Sequence, residues 1–251
     1  METTTQEAEK SKDEKEWLLT VRALHPTDGP EARKIWRAAM LGHDLAPPAK
    51  EMISHFVQSR IDDENDMGDP YRSFVRPSQG RNFWVVAAAR RGDSHAEKVV
   101  DHIHTESEVV VGCVGALLRT ADDMQRVTPV GKEYLERVEG DNFPLWKHPL
   151  GINSAAVELI RMAVRSDFRG HKFSVSGGSH LLRVSELLTD TVARWAREQE
   201  AAFVVLTTGR AMQTAVRAYQ RLGFHARELP RNVAFSAKTD DMLRLEPKPN
   251  K

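Results

Sequence analysis

Residues Val164 to Arg183 read V-R-S-D-F-R-G-H-K-F-S-V-S-G-G-S-H-L-L-R. The stretch leaves an apolar strand expected over Ser154 to Val164 (SAAVELIRMAV). It enters a helix expected over His180 to Gln199, where Leu181, Leu182, Val184, Leu187, Leu188, Val192 and Trp195 fall in helical register. Between them lies a loop, Arg165 to Ser179. The stretch carries the cations Arg165, Arg169, Lys172 and Arg183, the histidines His171 and His180, and one acid, Asp167. Gly170, Gly177 and Gly178 let the backbone turn and approach a ligand. A basic, glycine-containing loop at a helix N-terminus suits a phosphate, because free amides and the helix dipole point the same way. A solvated surface loop has the same composition, and composition leaves both readings open. The loop has no Gly-Lys-Ser/Thr ending and no G-x-G-x-x-G spacing, so it is neither a Walker A loop nor a dinucleotide fingerprint.

Outward from this stretch, Phe203 to Thr208 (FVVLTT) reads as a buried strand. Ala211 to Leu222 reads as a helix closed by Gly223 as a left-handed cap, and Phe224 onward as one or two strands. Upstream, Trp17 to Leu24 is a strand, and Glu31 to Leu41 and Pro48 to Arg60 are helices. Ile61 to Arg81 is a mobile loop whose acidic run, Asp62 to Asp69, reads as solvated. Phe83 to Arg90 and Glu108 to Arg119 are strands, joined by a hairpin connection over Arg91 to Ser107. Gly112 and Gly115 mark a bulge or close backbone approach. Thr120 to Asn153 holds one short helix, Gly131 to Val138. This order predicts an α/β chain with a mixed sheet. One domain is expected over residues 17–246, with a disordered tail at 1–16 and a short tail at 247–251.

Lys+Arg and Asp+Glu both total 36, a net charge of +0, which argues against a nucleic-acid partner held by a basic surface. The single cysteine, Cys113, excludes an internal disulfide and a Cys-rich zinc module. His102 and His104 with Cys113 match no standard zinc spacing, so no metal is expected. No apolar run approaches a membrane span. The opening METTTQEAEKSKDEKE has no apolar core of a signal peptide. A cytoplasmic protein without a membrane partner is expected.

The strand Val204-Val205-Leu206-Thr207-Thr208-Gly209 is followed by Ala215-x-x-x-Tyr219-x-x-x-Gly223-Phe224. With Val164 ending a strand and the pair Arg169-Gly170, this resembles the GNAT superfamily of acetyl-CoA-dependent N-acetyltransferases. The resemblance covers Glu158 to Phe224 well, and the rest of the chain by the order of its elements. It implies a six- to seven-stranded mixed sheet flanked by about four helices, with a V-shaped opening between the fourth and fifth strands. It implies acetyl-CoA as co-substrate, its pantetheine arm pairing with the fourth strand as an added strand would. Met162, Ala163 and Val164 would then contact the cofactor, with Arg165, Arg169, Gly170, His171 and Lys172 around the diphosphate. The chain departs from the pattern in the loop. Lys172 stands where a second glycine is usual, Asp167 where Gln or Arg is common, and an insertion precedes the helix. Gly177, Gly178 and Ser179 would supply amides near the helix start.

The implied reaction is attack of a primary amine on a thioester. A lysine-like amine has a pKa of roughly 10.4 and must lose a proton first. Glu158, sharing a strand face with Ala156, Ile160, Met162 and Val164 by alternation, is the candidate base. A structural pairing of Glu158 with Lys or Arg is the other reading. Tyr219 matches the family tyrosine that protonates the leaving thiolate, and it shares a helical face with Ala215 and Leu222. A packed core tyrosine is its other reading. The expected function is transfer of an acetyl group from acetyl-CoA to a small-molecule or protein amine by direct attack. Cys113 lies in another strand and gives no case for an acyl-enzyme. The alternative is an acyl-CoA-binding or scaffold protein of the same fold without catalysis. The oligomeric state carries no signature.

Overall fold

The computed structural model describes residues 17–43, 45–63, 66–75, 80–90, 108–119, 156–176, 181–228 and 232–242. In chain order the elements are β1 (Trp17–Ala23), α1 (Gly29–Leu41), α2 (Pro47–Asp62), α3 (Pro70–Phe74), β2 (Arg81–Arg90), β3 (Val109–Arg119), β4 (Ala156–Val164), β5 (Phe173–Val175) and β6 (Leu181–Leu182). They continue with α4 (Val184–Glu198), β7 (Phe203–Gly209), α5 (Gln213–Arg221), β8 (His225–Glu228), β9 (Asn232–Lys238) and α6 (Thr239–Met242). The expected hairpin connection at Arg91 to Ser107 and the expected helix at Gly131 to Val138 lie outside the described residues. So do both tails. Residues 1–75, 83–114 and 161–188 group into one compact unit, and 76–82, 115–160 and 189–251 into a second. β3 and β4 each contribute to both.

In the first unit the strand order is β6-β5-β1-β2-β3-β4. β1 and β2 pair antiparallel from Trp17↔Arg90 to Ala23↔Trp84. β2 is buried without a break from Phe83 to Ala89, the continuous apolar run of a strand covered on both faces. Trp36, Leu19, Phe83, Met67, Val57, Val85, Val86 and Val111 fill the core. The close backbone approach expected at Gly112 is present. A Cβ there would lie 2.6 Å from Val184 Cγ1 and 3.2 Å from the Ala163 carbonyl oxygen, so only a hydrogen lets α4 settle on β3.

The insertion before α4 is a short hairpin that extends the sheet. β5 runs parallel to β1 through Leu18↔Ser174 and Leu19↔Val175, and Ser176 donates its amide to the Leu19 carbonyl at 2.9 Å. β6 returns antiparallel through Phe173↔Leu182 and Ser174↔Leu181. This corrects two expectations. Residues 173–175 are strand rather than loop, and α4 begins at Val184 because Leu181 and Leu182 are held in the hairpin. The loop Ile61 to Arg81 is also corrected, since it contains the end of α2 and the short helix α3. Asp69 caps α3, its Oδ1 accepting the Arg72 amide at 3.0 Å.

In the second unit the order is β3-β4-β7-β9-β8. β4 and β7 are parallel, and β7 pairs antiparallel with β9 along its whole length. Gly223 ends α5 with φ +94°; the Phe224 amide reaches the Tyr219 carbonyl at 3.1 Å, the left-handed closure expected from the sequence. Among the described residues the sheet is mixed and has nine strands, seven once the β5–β6 hairpin is set aside.

Candidate functional site

β4 carries four of the predicted residues, Glu158, Met162, Ala163 and Val164. At Arg161 its backbone leaves the extended region, with φ +53°, a left-handed residue inside a strand. Ala163 is buried, while Met162 and Val164 are half-buried.

The loop after β4 is built on Phe168. A single 3-10 turn at Ser166–Phe168 buries that ring against Trp17 at 5.6 Å and Phe173 at 5.0 Å. The Arg165 amide bonds the Val111 carbonyl at 2.9 Å, tying the loop to β3. The Arg165 guanidinium lies over the Phe168 ring at 4.8 Å and grips Asp167 through Nε and Nη2 at 2.8 and 2.7 Å. Those hydrogen bonds hold the Asp167 carboxyl below the usual carboxylate range. Arg165 is thus neutralised within the loop. Arg169 folds back, its Nε donating to the Val164 carbonyl at 2.8 Å. Gly170 takes φ +80°, and a Cβ on it would meet nothing within 4 Å, so the loop turns with an open face there. The His171 ring centroid lies 6.2 Å from that of Phe173, and Lys172 follows immediately. Gly177, Gly178 and Ser179 lie outside the described residues. At the start of α4, Glu186 caps the helix by accepting the Arg183 amide at 2.9 Å and pairs with the Arg183 guanidinium at 2.9 Å.

His43, which nothing in the sequence singles out, belongs to the electrostatics of this loop. Burial first, and the positive charge of Arg169 second, push its pKa below the ordinary imidazole value. The acidic run is not simply solvated either. Asp66 is buried and pairs through both oxygens with Arg161. The partner lies far along the chain, which is why periodicity does not reveal it.

In the second unit Glu158 closes the registered pairing of β4 with β7. The pairs are Ala156↔Phe203, Val157↔Val204 and Glu158↔Val205, although β4 continues to Val164 and β7 to Gly209. The Glu158 side chain is 26% exposed and is held by Arg119, itself 20% exposed. Tyr219 is 9% exposed, its ring set edge-on to Phe224 at 5.8 Å. Burial pushes its phenol above the ordinary value of 10.0, so the hydroxyl keeps its proton throughout the neutral range. Among the described residues no group of three or more His, Cys, Asp or Glu could hold a metal ion, and no helix is long and apolar enough to cross a membrane. His102 and His104 are outside the described residues.

No family model matches the sequence, and no curated protein matches it. Solved structures do. The PaiA N-acetyltransferase of Thermoplasma acidophilum, solved with coenzyme A, is 9% identical, with a TM-score of 0.52 over 88% of this chain and 98% of its own. FeeM, an N-acyl amino acid synthase from uncultured soil microbes, is 13% identical, with a TM-score of 0.50 over 90% and 93%. At these identities the likeness is one of fold, and it extends over nearly the whole of each chain. The chain has the fold of these two proteins.

Proposed function

We propose that this protein is an N-acyltransferase that moves an acetyl group from acetyl-CoA to a primary amine by direct attack. The observation that carries the reading is the run of β4 beyond its register pairs with β7. β4 runs six residues past Glu158, the last of its register pairs with β7, a stretch suited to a ligand that pairs as a strand does. Coenzyme A in PaiA and acyl transfer to an amino acid by FeeM, on the same fold, support it.

In this reading Met162, Ala163 and Val164 present β4 to the pantetheine arm. Arg165, Arg169, Gly170, His171 and Lys172 line the diphosphate. Asp167 removes the net charge of Arg165, so Arg169 and Lys172 are left as the main cations of the loop. Glu158 takes the amine proton, directly or through one water. Both Arg119 contacts fall on Oε2, so Oε1 faces the task outside that pair. Tyr219 donates its hydroxyl proton toward the sulfur as the thioester breaks. Because its phenol is a weakened acid, its main service is a hydrogen bond to the developing thiolate. The acceptor is a small-molecule or protein amine, and the setting is cytoplasmic.

A second reading has its own observation. Arg119 engages Glu158 in the way a structural pair would, and a protein of this fold could bind acyl-CoA without turning it over. Calorimetric titration with acetyl-CoA, and with CoA as control, tests the shared part. Saturable binding that Arg169→Ala weakens at least tenfold is expected, and an absence of heat from the wild type sinks both readings. Release of free thiol in the presence of an amine panel then separates enzyme from binder.

A further inference from the structure

Arg161 sits in the middle of β4 with φ +53°, a backbone state that a side-chain-bearing residue adopts only when its surroundings over-determine it. The surroundings come from four other segments of the first unit. Arg161 Nε donates to Asp66 Oδ1 at 2.8 Å and Nη2 donates to Oδ2, a bidentate fork. The guanidinium carbon lies 5.3 Å from the Trp36 ring centroid of α1 and 5.7 Å from the Phe56 ring centroid of α2. Those rings meet edge-on at 6.4 Å. Arg60 adds a second charge to Asp66 at 3.6 Å and lies over the Phe56 ring at 5.3 Å. At the other end of the residue, the Cys113 thiol of β3 donates to the Arg161 carbonyl at 3.6 Å. The side chain is only 17% exposed and that of Asp66 8%.

Asp66, Trp36, Phe56 and Cys113 thus fix one peptide of one strand. That peptide precedes Met162, the first residue assigned above to the cofactor. We propose that Arg161 is a positioning residue: Asp66 and the Trp36–Phe56 pair clamp its side chain, and the clamp sets the direction in which the β4 main chain from Arg161 to Val164 meets acyl-CoA. The proposal rests on the acyltransferase reading above. It also makes Asp66 a link between the segment joining α2 to α3 and the cofactor strand.

The test uses the full-length protein and three variants. Asp66→Asn keeps the shape and loses the charge, Asp66→Glu restores it, and Arg161→Gly removes the clamp while accepting the positive φ. Amide hydrogen exchange is followed first without any ligand. Exchange at residues 160–164 at least tenfold faster in Asp66→Asn and Arg161→Gly, with Asp66→Glu nearer wild type, is expected. Should Asp66→Asn fail to fold, Arg161→Gly carries the same comparison. Unchanged exchange overturns the clamp whether or not the protein binds CoA. Titration with acetyl-CoA follows. A dissociation constant raised about tenfold or more by the two loosening variants, and recovered in Asp66→Glu, supports the positioning role. Loosened exchange with unchanged affinity reduces the clamp to a structural role and overturns the proposal. A wild type that exchanges as described but binds no acetyl-CoA sinks the acyltransferase reading, and with it the cofactor half of the proposal.

Discussion

Arg119 binds Glu158 through Nε at 2.8 Å and Nη2 at 2.7 Å, and both contacts fall on Oε2 of the carboxylate. The two residues come from β3 and β4, 39 positions apart in the chain. A partly exposed pair of this kind contributes about 1 kcal/mol or less to stability. What it does is hold one carboxylate oxygen, Oε2, and leave Oε1 outside the pair.

The first prediction follows from that pairing. Glu158→Gln keeps an oxygen for Arg119 but cannot take a proton. With acetyl-CoA and a reactive amine, kcat is expected to fall by about 10²- to 10⁴-fold, with KM for acetyl-CoA and the melting temperature little changed. Arg119→Gln is expected to lower kcat less, since the carboxylate survives and only its partner is lost. Equal activity of Glu158→Gln and wild type would return Glu158 to a purely structural pairing.

Tyr219 gives a prediction of a different form. Burial raises its phenol above the ordinary 10.0, so it stays neutral at every pH where the protein would be assayed. Tyr219→Phe removes one oxygen from a packed ring and is expected to lower kcat by roughly 10²-fold, the loss of one hydrogen bond to a developing anion. The ratio of wild type to variant is expected to be the same at pH 6.5 and pH 9. A ratio that collapses across that range would mean the phenol titrates there, contrary to its burial.

Residues whose chain neighbours announce them are legible from the amino-acid order alone. Tyr219 and Gly223 lie one turn apart in a helix with a clear inward face, and the left-handed cap follows from glycine alone. Gly112 marks the close approach of α4 for the same reason. What the amino-acid order hides depends on distant partners. Phe173, Val175, Leu181 and Leu182 have no strand pattern of their own length; the exposed edge of β1 makes them strands. Arg161 is not a glycine, so nothing local signals its positive φ, and Asp66 reads as one acid in a solvated run. Both are explained by contacts distant in sequence, above all the ion pair that joins residues 95 positions apart. His43 is silent because its environment is set by burial and by Arg169, which lies far along the chain.

His43 supplies the third prediction. Its folded pKa lies below the ordinary 6.5, so below pH 6.5 the unfolded chain binds more protons than the native one. Stability is therefore present above that value and falls as pH drops through the window beneath it. An anion seated on Arg169 would cancel the charge that helps to hold His43 down. Followed by NMR, the His43 ring is expected to titrate below pH 6.5 without ligand and to shift upward with saturating CoA. The same linkage makes CoA bind more tightly at pH 6 than at pH 8, a difference that His43→Gln is expected to abolish. An unmoved His43 midpoint at saturation would mean that the diphosphate does not sit on Arg169.

The alkaline limb of stability is set in part by two buried acids, one in each unit. Burial pushes the Cys113 thiol from 9.0 up to about 12, and the Tyr219 phenol upward from 10.0. Both stay neutral in the folded chain at pH values where the unfolded chain has already released the proton. The unfolded state then binds fewer protons, so stability falls as pH rises. For Cys113 the window runs from about pH 9 to about pH 12. Within it one group of this kind contributes a slope of about 1.4 kcal/mol per pH unit. Cys113→Ala is expected to lower stability at pH 7, because a packed side chain is lost beside Ala32 and Arg161. Between pH 9 and pH 11 its stability is expected to decline less steeply than that of the wild type, by about that slope. Urea unfolding at half-unit intervals reads the difference directly. Parallel curves for the two proteins would show that the thiol ionises in the folded chain as readily as in the unfolded one, contrary to its burial.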